Sequence, residues 1–187
     1  MEAIYIDKHY NLVVACKNGE RKAHYELYKL YAKAMYNICV RILNNTAEAE
    51  DVLQEAFLDA FTRIKDFRQE TTFGLWLKQI VIHKAINCLR KRKVIFEDIA
   101  EVDIEEVIDL NYADDIAEIN FKVETVKEAM MLLPEGYRLV LSLYLLEGYD
   151  HEEISQILKI SVNTSRTQFL RAKRKLIEIL KLKGIER

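Results

Sequence analysis

Residues 150–176, DHEEISQILKISVNTSRTQFLRAKRKL, predict two helices joined by a very short turn. Asp150 is a suitable N-cap for the first helix, and Glu153, three residues later, completes the sequence pattern of a capping box. The turn falls at residues 159–160, and Ser161 caps the second helix. This layout predicts a helix-turn-helix motif.

The second of these helices has one apolar face and one polar, basic face. Between residues 161 and 175 the chain has five basic residues and no acidic one. Such a helix suits the major groove of DNA, whereas a plain helical hairpin with a solvated charged face is the alternative. Because capping, turn length and one-sided charge agree, we favour DNA binding. We assign Val162, Phe169, Ala172 and Leu176 to the inner face, and Asn163, Thr164, Arg166, Thr167, Gln168 and Arg171 to the outer face.

The composition predicts an all-α protein. The chain has 187 residues, of which 50% are apolar, and it contains only one proline and five glycines. This length allows one or two domains with substantial cores, and the shortage of turn residues argues against a β-rich fold. The net charge of −2 conceals a strong segregation of charge along the chain.

Charge along the chain runs from basic to acidic to basic. Residues 77–93 include six basic residues and no acidic one, whereas residues 94–121 include ten carboxylates and no Lys or Arg. From residue 162 to the end there are eight basic and two acidic residues. We therefore predict two small helical domains, at 1–93 and 116–187, joined by an acidic linker at 94–115.

No catalytic or metal-binding pattern is visible in the sequence. The three cysteines are far apart and odd in number, and the four histidines are isolated from them and from one another. This arrangement suggests neither a disulfide framework nor a metal site. The N-terminus does not resemble a signal peptide, and no run approaches the ~18 apolar residues of a membrane span. We expect a cytoplasmic protein with no cofactor, no membrane insertion and no enzymatic activity.

The N-terminal part of the chain predicts three main helices. One occupies residues 20–43, the next begins with Thr46 as its N-cap, and the third runs from about residue 73 to residue 93. In the third helix a core position for Trp76 is favoured over stacking on unpaired bases. The residues available to the core of that helix are Leu75, Trp76, Ile80, Ile82 and Ile86, with the basic residues, including Lys78 and Lys84, on the opposite side and at the end.

On the second of these helices, three polar residues form a patch. Asp51, Gln54 and Glu55 are spaced by three and four residues, so they share one side of the helix. A solvated face and a docking surface for a basic partner both fit this pattern. The pattern alone favours the solvated face.

Residues 18–67 and 73–93 together resemble the promoter-melting domain of bacterial RNA polymerase sigma factors. Within the sigma factor family, the resemblance is greatest to the extracytoplasmic-function (ECF) subfamily. Residues 133–176, from LPEGYRLVLSLYLLEGYD through the helix-turn-helix, are similar to the C-terminal domain of the same family. The resemblance implies a two-domain factor that confers promoter recognition on core RNA polymerase. Its implied partners are core polymerase, promoter DNA and, as for many ECF factors, an anti-sigma factor.

The resemblance also implies roles for particular residues. In the family a D-x-x-Q-E helix docks on the clamp helices of the largest polymerase subunit, a loop receives a base flipped from the minus-ten element, and the recognition helix reads the minus-thirty-five element. The polymerase-binding residues are then Asp51, Gln54 and Glu55. The minus-ten residues are Arg68, Gln69, Glu70 and Thr71 in a loop that extends to Thr72, with Lys78, His83, Asn87, Arg90 and Arg92 on the following helix. The minus-thirty-five residues are Asn163, Thr164, Arg166, Thr167, Gln168, Arg171 and Lys173.

Several positions depart from the family pattern, Ser165 in the recognition helix among them. His83 stands where the family usually has Asn, and Asn87 stands where it usually has Asp. Gln168 replaces a basic residue, which suggests a preference for a different base such as adenine. These changes bear on which promoter is read.

A stand-alone helix-turn-helix regulator, with an N-terminal helical domain for sensing or dimerisation, is the rival interpretation. Such a sensor domain needs neither the basic helix at 77–93 nor the patch of Asp51, Gln54 and Glu55. Both features favour the sigma factor.

Overall fold

The computed structural model of the chain describes residues 7–92 and 123–182. Within these two ranges the regular structure is helical and contains no strand, which confirms the predicted all-α fold. The chain divides into two compact units, Met1–Lys91 and Arg92–Arg187. The predicted acidic linker at 94–115 lies outside the described residues, so its boundaries stay predictions.

The first unit is built on three helices that pack against one another, with a short helix before them. Helices α2, α3 and α4 pack pairwise, and α1 packs against α2. Their shared core is formed by apolar side chains at helical spacing, as the sequence pattern requires. The elements are α1 (Tyr10–Lys17), α2 (Arg21–Leu43), α3 (Thr46–Thr62), a 3-10 turn (Ile64–Asp66) and α4 (Phe73–Lys91).

The N-cap of α3 is Asn45, so the prediction of Thr46 was wrong by one residue. The Asn45 side-chain oxygen accepts the backbone N–H of Glu48 at 3.2 Å. Asn44 precedes it in the left-handed conformation (φ 51°) and ends α2. Two consecutive asparagines thus end one helix and begin the next, because Asn tolerates positive φ and is also a strong N-cap.

Helix α4 buries a different face from the one predicted for its first turns. Leu75, assigned to the core, is 41% exposed, whereas Phe73 and Leu77 are fully buried. Further along, Ile82 and Ile86 are buried as predicted. Trp76 is half-buried and stacks on Phe67 with ring centroids 5.1 Å apart, so its ring packs inside the protein.

Over its described residues, the second unit has four helices around a smaller core. Buried residues of α5, α6 and α8, together with Leu133, form this core, and α7 packs on α6 and α8. The helix at 135–145 is buried only over its middle, since its last two residues, Tyr144 and Leu145, are exposed. The elements are α5 (Val123–Met131), α6 (Glu135–Leu145), α7 (His151–Leu158) and α8 (Val162–Leu182).

Among residues 123–182, one charged side chain is buried. Arg138 in α6 is 2% exposed, and its Nη1 donates a hydrogen bond to the Leu133 carbonyl at 2.9 Å. Burial lowers the pKa of Arg138, and the charge of Glu135 opposes that effect. The guanidinium therefore fixes the turn between α5 and α6 by bonding its backbone.

Helices α7 and α8 form the predicted helix-turn-helix. Asp150 accepts the backbone N–H groups of Glu152 and Glu153, and the Glu153 carboxylate accepts the Asp150 N–H, which confirms the capping box. The turn is made by Lys159 in the left-handed conformation (φ 60°). Ser161 then caps α8 by accepting the Thr164 N–H at 2.9 Å.

Candidate nucleic-acid and protein interfaces

The outer face of α8 carries six of the seven residues predicted to read the minus-thirty-five element. Asn163, Arg166 and Lys173 are exposed, and Thr164, Thr167 and Arg171 are half-buried beside them. The Thr164 hydroxyl lies 2.8 Å from the Ser161 hydroxyl, which ties it to the cap of the helix. The first two turns of α8 therefore present a polar, positively charged surface with a fixed N-terminus.

Gln168 does not belong to this outer face. It is 2% exposed, and Ser165, one turn earlier, is 0% exposed. The buried line of α8 passes through residues 165, 168, 172, 176 and 180, at spacings of three and four residues. A polar side chain was assigned to solvent by its chemistry, but helical phase places it against the core. The assignment of Gln168 to the outer face is therefore wrong, and its contact with a base stays a prediction.

Ser165 is held by a histidine from α7. The Ser165 hydroxyl and His151 Nδ1 are 2.9 Å apart, and the imidazole stacks on the Tyr144 ring at 4.6 Å between centroids. Phe169 closes the cluster with its ring 5.6 Å from that of His151. Burial, followed by the charge of Arg166, lowers the pKa of His151, and Asp150 opposes them. A neutral imidazole thus joins the two helices of the motif.

Three of the residues predicted to face DNA follow one side of α4 at spacings of four and three, namely His83, Asn87 and Arg90. Lys78, five residues before His83, lies on another side of the helix. His83 and Asn87 are exposed one helical turn apart, and Lys78 and Arg90 are half-buried. Arg90 donates a hydrogen bond to the Asn87 side-chain oxygen at 3.4 Å. Arg92 directly follows the end of α4. The two positions that depart from the family pattern on this helix therefore share one exposed face.

The loop before α4 projects four side chains into solvent. Arg68, Gln69, Glu70 and Thr71 are all exposed, and Gln69 has φ 62°. A positive φ is uncommon for a residue other than glycine, and such residues concentrate at functional sites. Thr72 ends the loop as the cap of α4, since its hydroxyl accepts the Leu75 N–H at 3.3 Å.

The patch on α3 is exposed and is partly neutralised by α4. Asp51, Gln54 and Glu55 all lie at the surface. Lys84 Nζ lies 2.8 Å from an Asp59 oxygen and 3.3 Å from a Glu55 oxygen. Hydrogen bonding to Asp59, and then to Glu55, raises the pKa of Lys84. Lys84 was grouped with the basic side of its helix, but it faces α3 instead.

Sequence reasoning missed an apolar member of the same α3 surface. Leu58 is 68% exposed, three residues after Glu55, four after Gln54 and seven after Asp51. Residues at these spacings share one side of a helix. The spacing is visible in the sequence, but Leu58 was not assigned to the patch, which was defined by polar residues alone.

Neither a metal-binding cluster nor a membrane-spanning helix is found among the described residues. Among residues 7–92 and 123–182, no group of three or more histidine, cysteine, aspartate or glutamate side chains is arranged to hold a metal ion. No helix in these ranges has the length and hydropathy needed to cross a membrane.

Comparison with known proteins defines the class. The Sigma-70 region 2 family model matches residues 27–94, and the Sigma-70 region 4 model matches residues 124–176. In this order they describe a sigma-70-type transcription initiation factor.

Two relatives then give the family. The ECF RNA polymerase sigma factor SigW of Bacillus subtilis is 30% identical over 169 residues, covering 86% of this chain and 90% of SigW. The RNA polymerase sigma-H factor of Pseudomonas aeruginosa is 31% identical over 170 residues, covering 87% of this chain and 88% of the relative. The chain belongs to the ECF family of RNA polymerase sigma factors.

Membership confirms the prediction of a promoter-recognition factor without enzymatic activity, and it does not favour the stand-alone regulator. The fold agrees. The sigma factor RpoE of Bartonella quintana, solved in complex with the anti-sigma factor NepR, superposes with a TM-score of 0.53. It is 22% identical, and the match covers 83% of this chain and 95% of RpoE.

Proposed function

We propose that this sigma factor reads promoters through two separate surfaces. The loop at 68–72 and the exposed side of α4 contact the minus-ten element, and the outer face of α8 contacts the minus-thirty-five element. The observation that supports this proposal most directly is the surface position of the side chains concerned. In both units, exposed or half-buried polar side chains stand at the positions that the family pattern assigns to DNA, Gln168 excepted.

Bipartite reading follows from the energetics of one small surface. A good bidentate contact between a side chain and a base contributes about 1–3 kcal/mol of discrimination, and the outer face of α8 has few such side chains. A second DNA-reading surface on the same chain raises the effective concentration of the first. Each unit therefore binds weakly by itself and specifically when both are held on polymerase.

The α3 surface is the proposed contact with core polymerase. Asp51, Gln54 and Glu55 supply charge and hydrogen-bonding groups, and Leu58 supplies an exposed apolar group on the same side. A central apolar anchor rimmed by polar groups is the usual organisation of a protein interface. Lys84 restrains Glu55 and Asp59 before docking, which reduces the side-chain entropy lost on binding.

His83 and Asn87 are the proposed determinants of minus-ten preference. They share one exposed face of α4 and differ from the family pattern. Asn pairs well with adenine, and a neutral imidazole offers one donor and one acceptor. We expect this factor to select a minus-ten sequence different from that of ECF relatives with the usual residues.

The remaining proposals concern partner and location. Because RpoE of Bartonella quintana is held by an anti-sigma factor, we propose that a protein of this kind also holds the present chain. Because bacterial RNA polymerase acts in the cytoplasm, we propose that this factor is located there.

Run-off transcription with purified core polymerase tests the promoter function. Genomic fragments that yield a transcript only with the added factor support the proposal, and a complete absence of such transcripts overturns it.

Charge reversal tests the docking surface. Asp51→Lys and Glu55→Lys should each weaken binding to core polymerase at least about tenfold, as expected for charged residues within an interface. Glu124→Lys in α5 makes the same change of charge on an exposed residue of the other unit and should leave binding unchanged. Circular dichroism verifies that all three variants keep their helical content. Equal binding by all four proteins would contradict the assignment.

A further inference from the structure

The loop at 68–72 is anchored at both ends by residues near the N-terminus of the chain. At the first end, Lys17 Nζ donates a hydrogen bond to the Phe67 carbonyl at 2.6 Å. At the second end, an Asp7 carboxylate oxygen accepts the Phe73 N–H at 2.7 Å. The two anchoring residues lie 50 and 66 positions before their partners. Both precede residue 27, where the Sigma-70 region 2 match begins.

Each anchor is itself held in place. Lys17 Nζ also lies 5.6 Å from the centroid of the Phe67 ring, a distance at which a cation is attracted to the aromatic face. The other Asp7 oxygen accepts the His9 N–H at 2.8 Å. His9 Nδ1 is in turn 2.8 Å from the Tyr31 hydroxyl. A fixed amine and a fixed carboxylate therefore meet the two ends of the loop.

The stretch between the anchors has little internal support. Arg68, Gln69, Glu70 and Thr71 are exposed, and the Gln69 backbone adopts the left-handed conformation at φ 62°. By contrast, Phe67 and Phe73 are 4% and 0% exposed. A residue such as Gln69 stays in a sparsely populated conformation only where its surroundings fix it. The contacts that restrain this loop are the hydrogen bonds at its two ends.

We propose that Lys17 and Asp7 are positioning residues for the capture of an unpaired promoter base by the loop at 68–72. This inference rests on the proposed minus-ten role of the loop. Fixing both ends leaves a short segment with few conformations, so less conformational entropy is lost when a base enters. The N-terminal segment, with Asp7 before α1 and Lys17 at its end, thereby contributes to base recognition through the loop.

A structural role alone makes a different prediction. If the two hydrogen bonds only hold α1 on the core, their loss lowers stability and leaves the discrimination between an intact and a missing base unchanged. If they position the loop, discrimination falls even where the protein stays folded. The ratio of two affinities separates these roles, because a uniform loss of activity cancels from it.

The experiment uses the full chain assembled with core polymerase. The probe is a single-stranded DNA of the non-template type, selected from a random pool by the wild-type holoenzyme, in which one abasic site is moved along the sequence. At the captured position the abasic site should weaken binding about tenfold, the order expected for one stacked base. With Lys17→Met or Asp7→Ala the intact and abasic probes should bind within about twofold of each other.

Three controls make the result decisive. Lys8→Met removes an exposed positive charge beside α1 and should keep the wild-type ratio. Lys17→Arg restores a donor and should recover most of the ratio. Thermal melting identifies any variant that does not fold. Should one anchor variant fail to fold, the other and the arginine rescue still decide the question.

The outcomes separate the two levels of the proposal. If no abasic position weakens wild-type binding, the proposed role of the loop fails. If wild type shows the effect and the anchor variants keep the same ratio, the loop reads a base but Lys17 and Asp7 do not position it, and this inference is overturned.

Discussion

Replacing Gln168 by Met should stabilise the helix-turn-helix and leave promoter binding intact. The side chain is 2% exposed, and its Oε1 is buried without a hydrogen-bond partner among the described residues. A buried acceptor left unsatisfied costs about 1–3 kcal/mol. Met has a similar length and no such requirement, so after allowing for an imperfect fit we expect a gain of about 1 kcal/mol. In a unit of this size that corresponds to a rise in Tm of about 4–8 °C.

The assay combines thermal unfolding with DNA binding by the assembled holoenzyme. Melting is followed by circular dichroism, and binding is measured on the upstream promoter element that the wild-type holoenzyme protects. Thr167→Met is the matched control, because Thr167 is the preceding residue and lies half-buried on the outer face of α8. The control should gain no stability and should lose affinity for the element.

The opposite result would refute this reasoning. If Gln168 rotated outward to read adenine, its loss would cost about 1–3 kcal/mol of base discrimination, roughly five- to 150-fold in affinity. A fall of that size with an unchanged Tm would show that the buried conformation is not the one that binds DNA.

Three further predictions concern single side chains. Lys159→Gly should stabilise the fold by about 0.5–1 kcal/mol, because glycine adopts the left-handed conformation of this position without a Cβ penalty. Chemical denaturation measures the gain, and Lys159→Ala, which keeps the strain, should show none. His151→Gln should flatten the pH dependence of stability. Burial lowers the pKa of His151, so the folded protein binds this proton less readily than the unfolded chain, and stability falls as pH drops below about 6.5 towards the lower folded pKa. Thermal melting between about pH 5 and about pH 8 checks this, and a variant that keeps the wild-type slope would contradict it. Gly74→Ala should destabilise by about 1–3 kcal/mol, since a Cβ there would lie 2.7 Å from Tyr31 Cε1. A rise in Tm, as helix propensity alone predicts, would contradict that contact.

The elements themselves follow from the sequence because their signals are local. A capping box needs two side chains three residues apart, and both are visible at Asp150 and Glu153. Helical periodicity likewise locates the stripes of α2 and α3. The error at Thr46 is of the same local kind, since Asn and Thr are both good caps and Asn45 comes first.

What the sequence could not give is the direction in which polar side chains point. Lys84 has the positive charge expected of a DNA-facing residue, but the packing of α4 on α3 brings it to Glu55 and Asp59. Gln168 has the polar side chain expected of a surface residue, but the way α8 packs against α5 and α6 buries it. The hydrogen bonds that anchor the loop join residues 50 and 66 positions apart in the sequence, and contacts over such separations cannot be predicted from a local sequence pattern.

Neighbouring residues on α4 serve different surfaces. His83 is exposed on the proposed DNA side, while Lys84 bonds Glu55 and Asp59 on the α3 side. Successive helical residues are separated by about 100° around the axis, so a one-residue step is enough to change partner. If the proposed roles hold, a mutant library that randomises positions 83 and 87 and keeps position 84 should change the promoter preference of this factor while its binding to polymerase is retained.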